Sequence, residues 1–169
     1  NSLASREQEQ ADMENASTLA TASLLFNLAR YGVSGIDGTD ADWVHERTKV
    51  DSVVIMGAFF NTTLAVAPAL ARGREYTEGA LREAGYAPIF GSADEKIILL
   101  CPVIKGIDRT TARGRVIAVL KEMLRDAPPE LGVCVFCVSS VYADEESLQR
   151  CYQESLSMLR YGFFKTNSC

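Results

Sequence analysis

The residues of this chain that could do chemistry are few, and two neighbouring acids come first. Asp94 and Glu95 follow Gly91, Ser92 and Ala93, between two short apolar runs. Paired carboxylates at one turn can bind a cation or act as general acid and base. The same residue types also form solvated hairpin turns, since Gly, Ser and Asp are typical turn formers. We favour the turn interpretation and predict no catalytic residue in this segment.

The single histidine, His45, lies two residues after the single tryptophan, Trp43. A nucleophilic site needs a nucleophile, a base and an orienting group, and no Ser or Cys motif accompanies this imidazole. The favoured interpretation is therefore a surface or interface histidine. A small-molecule site at these two residues stays open as an alternative.

Phosphate and metal sites are not indicated either. A phosphate cradle needs a Gly-rich turn that leads from a strand into a helix, and the chain has none. Four basic residues could bind an anion, but Asp108 lies among them and a solvated helix start is the simpler interpretation. These basic residues are Lys105, Arg109, Arg113 and Arg115. We predict no cofactor and no bound metal ion.

The five cysteines do not have the spacing of a disulfide framework or a zinc site. Cys134 and Cys137 form a C-x-x-C inside an apolar run typical of a strand, where positions three apart point to opposite faces. We predict that these two, with Cys101 and Cys151, pack in the core. A reducing, cytoplasmic compartment fits this usage.

Composition and charge exclude several classes of protein. The 169 residues are 47% hydrophobic, as in a folded soluble domain, and 17 Lys and Arg against 22 Asp and Glu leave a net charge of −5. The basic residues are scattered, so we expect no direct contact with nucleic acid. No apolar run approaches the roughly 20 residues of a membrane span. The first residue, Asn1, predicts a piece of a longer protein.

Hydrophobic runs predict the order of the elements. Three continuous apolar runs indicate strands buried on both faces, over 53–56, 97–101 and 133–138. A weaker strand over 86–90 should join the second run through a hairpin connection over 91–95. Helical patterns cover 63–84, 116–124 and 148–163, and Pro68 and Gly73 should bend or split the first of them.

These elements form the order βαββαβ, which predicts an α+β, ferredoxin-like fold with an antiparallel-rich sheet and flanking helices. The two helices of such a fold cover one sheet face. The last helix, the helix that leads into the domain, or a partner subunit must therefore cover the other face.

Residues 5–31 predict one long helix, because they contain no Pro or Gly and are rich in Ala, Glu, Gln and Leu. We thus expect an N-terminal signalling or linker helix over 1–35, a joint over 36–51 and a domain over 52–169. The leucine-rich residues 19–28 could pair with their copy in a homodimer.

Three segments resemble a known family. The last helix, over 146–164, resembles the Tyr-rich ending of the degenerate GGDEF-like domain in YesN and other AraC-type bacterial transcriptional regulators. Residues 88–100 lie where diguanylate cyclases carry Gly-Gly-Asp/Glu-Glu-Phe before an apolar strand. Residues 23–32 are similar to the helix that leads into these domains.

The resemblance also implies that this chain lacks the catalytic residues of a diguanylate cyclase. A cyclase would carry a metal-binding acid just after the first strand, where this chain has Gly57-Ala58-Phe59, and its hairpin would not read Gly91-Ser92-Ala93-Asp94-Glu95. The inhibitory Arg-x-x-Asp is absent from residues 83–87. Without the acid nothing neutralises a triphosphate.

The resemblance therefore implies a non-catalytic, cytoplasmic relay domain of a bacterial regulator, such as a two-component one. An upstream sensor or receiver and a downstream helix-turn-helix DNA reader would lie outside this chain. Two alternatives remain. One is a diverged nucleotide cyclase that uses the hairpin acids, and the other is a small-molecule sensor near Trp43 and His45.

Overall fold

The structure is a computed structural model that describes residues 50–93 and 95–162, with the isolated positions 5, 6 and 27. The predicted helix over 1–35 and nearly all of the joint over 36–51 lie outside the described residues. So do Trp43, His45 and Asp94.

The described chain forms one four-stranded sheet with helices on both faces. The elements are β1 (Ser52–Phe60), α1 (Val66–Glu83), β2 (Ile89–Ala93), β3 (Lys96–Pro102), α2 (Arg109–Arg125), a 3₁₀ turn (Pro129–Leu131), β4 (Val133–Val138) and α3 (Glu145–Gly162). The strand order is β2-β3-β1-β4, and every neighbouring pair is antiparallel. The predicted α+β class and βαββαβ order are confirmed.

The expected split of the first helix in two is wrong, since α1 is one continuous helix. Pro68 is its third residue, where the missing N–H would have no partner within the helix. Gly73 lies against the ring of Phe59, and a Cβ at this position would overlap that ring. The glycine therefore allows α1 to approach β1 closely.

The hairpin is tighter than the predicted connection over 91–95. Strand β2 begins three residues later than expected and continues to Ala93, so that Gly91, Ser92 and Ala93 pair with Ile98, Ile97 and Lys96 of β3. Only two residues are left between the strands. Such two-residue turns match the twist of paired strands and require positive φ, and Glu95 has φ 62°.

Both faces of the sheet are buried, each in its own core. Val53 and Ile55 of β1 point to the core under α1 and α2, whereas Val54 and Met56 point to the core under α3. The other strands alternate in the same way, which explains their continuous apolar runs. Of the three candidates for covering the second face, α3 does so.

The cysteines confirm the predicted core packing. Cys101 and Cys134 lie in the core under α1 and α2, while Cys137 and Cys151 lie in the core under α3. The C-x-x-C pair is thus divided between opposite faces of β4. Burial raises the pKa of Cys101 to about 12 and that of Cys134 to about 11.

Among the helices of the described part, none combines the length and the apolar character that crossing a bilayer requires.

Candidate functional site

A cleft of about 240 Å³ opens where the end of β1 meets the hairpin tip. The loop after β1 and the first turns of α1 complete its walls. It thereby joins the two segments that would carry the catalytic groups in a diguanylate cyclase, namely the end of the first strand and the hairpin. Its lining residues are Ala58, Phe59, Phe60, Thr62, Leu64, Val66, Ala69, Leu70, Glu95 and Lys96.

The loop that borders this cleft is held by local hydrogen bonds. Asn61 follows β1 and has φ 54°, a left-handed conformation that Asn tolerates better than most residues. The Thr62 hydroxyl accepts from the Leu64 N–H at 2.9 Å and donates to the Leu64 carbonyl at 2.7 Å. Val66 begins α1 with 52% of its surface exposed. The cleft therefore has a fixed and largely apolar rim.

The space beside β1 is filled by two phenylalanine rings. Phe136 of β4 pairs with Gly57, and a Cβ on Gly57 would lie 2.5 Å from Cε1 of Phe136. The Phe59 ring meets the Phe136 ring edge-on, with centroids 6.0 Å apart, and lies against Gly73. We call Gly57, Phe59, Gly73 and Phe136 the aromatic stack. It leaves no room for a side chain at position 57.

Charged groups are sparse among the described lining residues. Glu95 supplies the one carboxylate and Lys96 the one ammonium group. Glu95 lies in the turn and is exposed, whereas Lys96 is partly buried. The structure does not test the alternative that Asp94 and Glu95 act as a pair, because Asp94 lies outside the described residues.

Two of the four basic residues that the sequence singles out, Arg109 and Arg113, have partners within the protein. Arg113 donates from Nη2 to the Val138 carbonyl at 2.8 Å and from Nε to the Ser139 carbonyl at 3.1 Å. Arg109 lies 3.6 Å from the carboxylate of Asp51. Asp108 accepts from the hydroxyl and the N–H of Thr111, which lowers the pKa of Asp108 and caps α2. Arg113 thus connects α2 to the end of β4, and Arg109 connects it to the residue before β1.

The start of β1 is tied to the start of α3, a connection that the sequence did not indicate. Ser52 and Tyr142 exchange backbone hydrogen bonds of 2.9 and 2.8 Å. The Val54 N–H donates to the Ser139 hydroxyl at 2.9 Å. Asp144 then caps α3 by accepting from the Ser147 N–H at 2.7 Å. Val54 and Ser139 are 85 residues apart in sequence, and Ser52 and Tyr142 are even further apart, so no local pattern reveals these two connections.

The fold and the cleft together define an α+β domain in which a tight β2–β3 hairpin stands beside the end of the central strand β1. A family model described as GGDEF-like domain matches residues 51–161, and the chain belongs to that family. Searches among curated proteins and among solved structures gave no match. The predicted GGDEF-like character is therefore confirmed.

Proposed function

We propose that this chain is a non-catalytic signal-relay domain of a bacterial AraC-family, YesN-type transcriptional regulator. Its DNA-binding helix-turn-helix domain and its upstream sensor or receiver would lie outside this chain. The observation that carries the proposal is the Phe136 ring over Gly57.

Metal-assisted phosphoryl transfer requires a carboxylate that holds the cation beside the triphosphate. The resemblance implies that this acid would lie at residues 57–59. A side chain at 57 collides with Phe136, Ala58 points into the α3 core at 6% exposure, and the Phe59 position is packed on Gly73. A carboxylate at any of these positions would therefore lie against an aromatic ring or inside the apolar core, where it could not hold a cation beside a triphosphate. This supports the proposal that the domain has no cyclase activity.

The contacts at the other end of β1 support a relay. The chain enters β1 next to the Ser52–Tyr142 bridge, and Tyr142 is two residues before the Asp144 cap of α3. A shift of the entering chain that moves Ser52 would displace the first turn of α3 as well. Packed elements with two arrangements are a common means of transmitting such shifts. The sequence of α3 also carries the resemblance to the YesN-type ending.

The proposal is tested by incubating the purified chain with GTP and Mg²⁺ or Mn²⁺, beside an active diguanylate cyclase as positive control. We expect no cyclic dinucleotide above the protein-free blank. Measurable product would overturn the proposal and favour a diverged cyclase. Loss of that product in Glu95→Gln would then assign the reaction to the hairpin.

Titration with duplex DNA tests the separation of relay and DNA reader. We expect the chain alone to form no tight complex, because its net charge is −5 and its basic residues are dispersed. A nanomolar complex that weakens steeply with salt would contradict this division of labour.

A further inference from the structure

A second and larger groove, of about 630 Å³, runs between α1 and α2. Helix α1 and the Ala84 that caps it line the groove from Arg72 at helical spacing, and α2 lines it from Val119 to its own capping residue, Asp126. The stretch of α1 covers twelve steps of helix, or about 18 Å. The groove is thus elongated, and it lies outside the β1–hairpin cleft.

The floor of the groove has free space above it, and a hydrogen bond between the two helices fixes its shape. The hydroxyl of Tyr76, on α1, donates to the Met123 carbonyl of α2 at 3.1 Å, which links the two helices. Gly79 is exposed, and nothing lies within 4 Å of the place where its Cβ would stand. Ala80 and Val119 add partly buried apolar surface. The floor can therefore receive apolar side chains without rearrangement.

The rim of the groove is acidic. It carries four carboxylates and one guanidinium group, that of Arg72. This guanidinium lies 3.5 Å from Glu130, which is not a lining residue, and so part of its charge is already compensated. The carboxylates belong to Glu75, Glu83, Glu122 and Asp126. The charge of the rim thus favours a cationic partner.

We propose that this groove binds a cationic amphipathic helix of a partner protein. A length of about 18 Å corresponds to about three helical turns, and helices bind such grooves through apolar side chains at positions i, i+3 or i+4, and i+7. These side chains lie over Gly79 and Tyr76, and flanking Lys or Arg side chains reach the carboxylates. The inference does not depend on the proposed relay function.

The leading segment of the chain itself does not have the required charge. Residues 1–35 contain four acids, all between residues 7 and 14, and the leucine-rich stretch 19–28 carries no charged side chain. The acidic part of this segment would be repelled by an acidic rim, and its apolar part lacks the cationic side chains that the rim favours. This difference selects a separate, basic partner over the chain's own predicted helix.

The probe is a fluorescein-labelled peptide of leucine and lysine, about 18 residues long, with the leucines at helical spacing. Binding is followed by fluorescence anisotropy at low salt and located by amide chemical shifts. We expect saturable binding located on α1 and α2. A peptide with glutamate in place of lysine should not bind.

Two variants and one control test whether the peptide binds in the groove. Gly79→Phe fills the floor where there is space, and Glu122→Lys reverses one rim charge. We expect each to weaken binding by about tenfold or more. Glu146→Lys makes the same charge reversal on an exposed residue of α3 and should change affinity by less than about twofold. Circular dichroism confirms that each variant is folded.

Several results would overturn the proposal. These are no saturable binding, equal binding by Gly79→Phe, equal binding of the glutamate peptide, or shifts located away from α1 and α2. Self-association that Gly79→Phe abolishes would make the groove an interface between copies of this chain, which also contradicts a separate partner.

Discussion

Replacing Gly57 with alanine tests the aromatic stack directly. The new Cβ would lie 2.5, 2.8 and 3.0 Å from three atoms of the Phe136 ring, whereas ordinary contacts begin near 3.4 Å. The ring would have to retreat by about 0.9 Å. It meets Phe59 edge-on, and Phe59 lies against Gly73, so the displacement spreads into α1.

The expected change in the free energy of unfolding is the difference between an overpacking cost and a gain in backbone entropy. Overpacking a core by one methyl group costs about 1–3 kcal/mol. Alanine recovers about 0.5–1 kcal/mol, because glycine loses more backbone freedom on folding. Because the new Cβ would lie only 2.5 Å from the ring, the upper part of the overpacking range, about 2–3 kcal/mol, applies, and we expect Gly57→Ala to lower the free energy of unfolding by about 1–2.5 kcal/mol. In urea, followed by circular dichroism, the midpoint should fall by roughly 0.5–1 M.

The same substitution at Gly79 provides the matched control. A Cβ there meets nothing within 4 Å, and the residue is exposed on α1. Gly79→Ala should raise the free energy of unfolding by about 0.5–1 kcal/mol, since alanine is the better helix former. If Gly57→Ala proved neutral or stabilising while Gly79→Ala behaved as expected, the stack would not exclude a side chain at 57, and the main support for a non-catalytic domain would be lost.

Three further tests address the hydrogen bonds, the hairpin and the buried thiols. Ser139→Ala should lower the free energy of unfolding by about 1–3 kcal/mol, because it leaves the buried Val54 N–H without its acceptor. Ser155→Ala should leave the free energy of unfolding unchanged or raise it, because the Ser155 hydroxyl is buried without a hydrogen-bond partner. Glu95→Gly should stabilise the chain by about 1 kcal/mol, since Glu95 has φ 62°. The free energy of unfolding should fall as the pH rises above about 9, because the Cys101 thiol ionises there when unfolded but only near pH 12 when folded.

Urea titrations measure all three. Equal losses for the two serine variants would contradict the hydrogen-bond assignment, and a less stable Glu95→Gly would contradict strain at the turn. A Cys101→Ala variant is the control for the alkaline transition. It should lose less stability between pH 9 and pH 11 than the parent, and identical profiles would show that Cys101 does not contribute.

Local patterns predicted the order of the elements but not all of their ends. The apolar runs around Val53, Ile97 and Val133 correspond to β1, β3 and β4, because strands covered on both faces must be apolar throughout. Turn propensity, in contrast, made the predicted hairpin loop too long, since Gly and Ser favour turns locally. Residues 91–93 are in β2 because β3 offers them pairing partners.

The family was also recognisable from sequence, since a Tyr-rich last helix and the position of the hairpin are local features. The site was not. Gly57 opposes Phe136 only through the register of β1 and β4, and a shift of one residue would move each side chain to the other face. The Ser52–Tyr142 bridge and the groove between α1 and α2 likewise join residues distant in the chain.

By itself, the sequence determined the α+β class, the two-faced burial of the strands and the GGDEF-like resemblance, because periodicity and composition act over a few neighbouring residues. Only the tertiary structure decided that α3 covers the second face, that the rings of Phe59 and Phe136 fill the space beside Gly57, and that acids from two helices border one groove. These features arise from contacts between distant segments. Strand register and helix packing set such contacts, and neither is encoded in a local pattern.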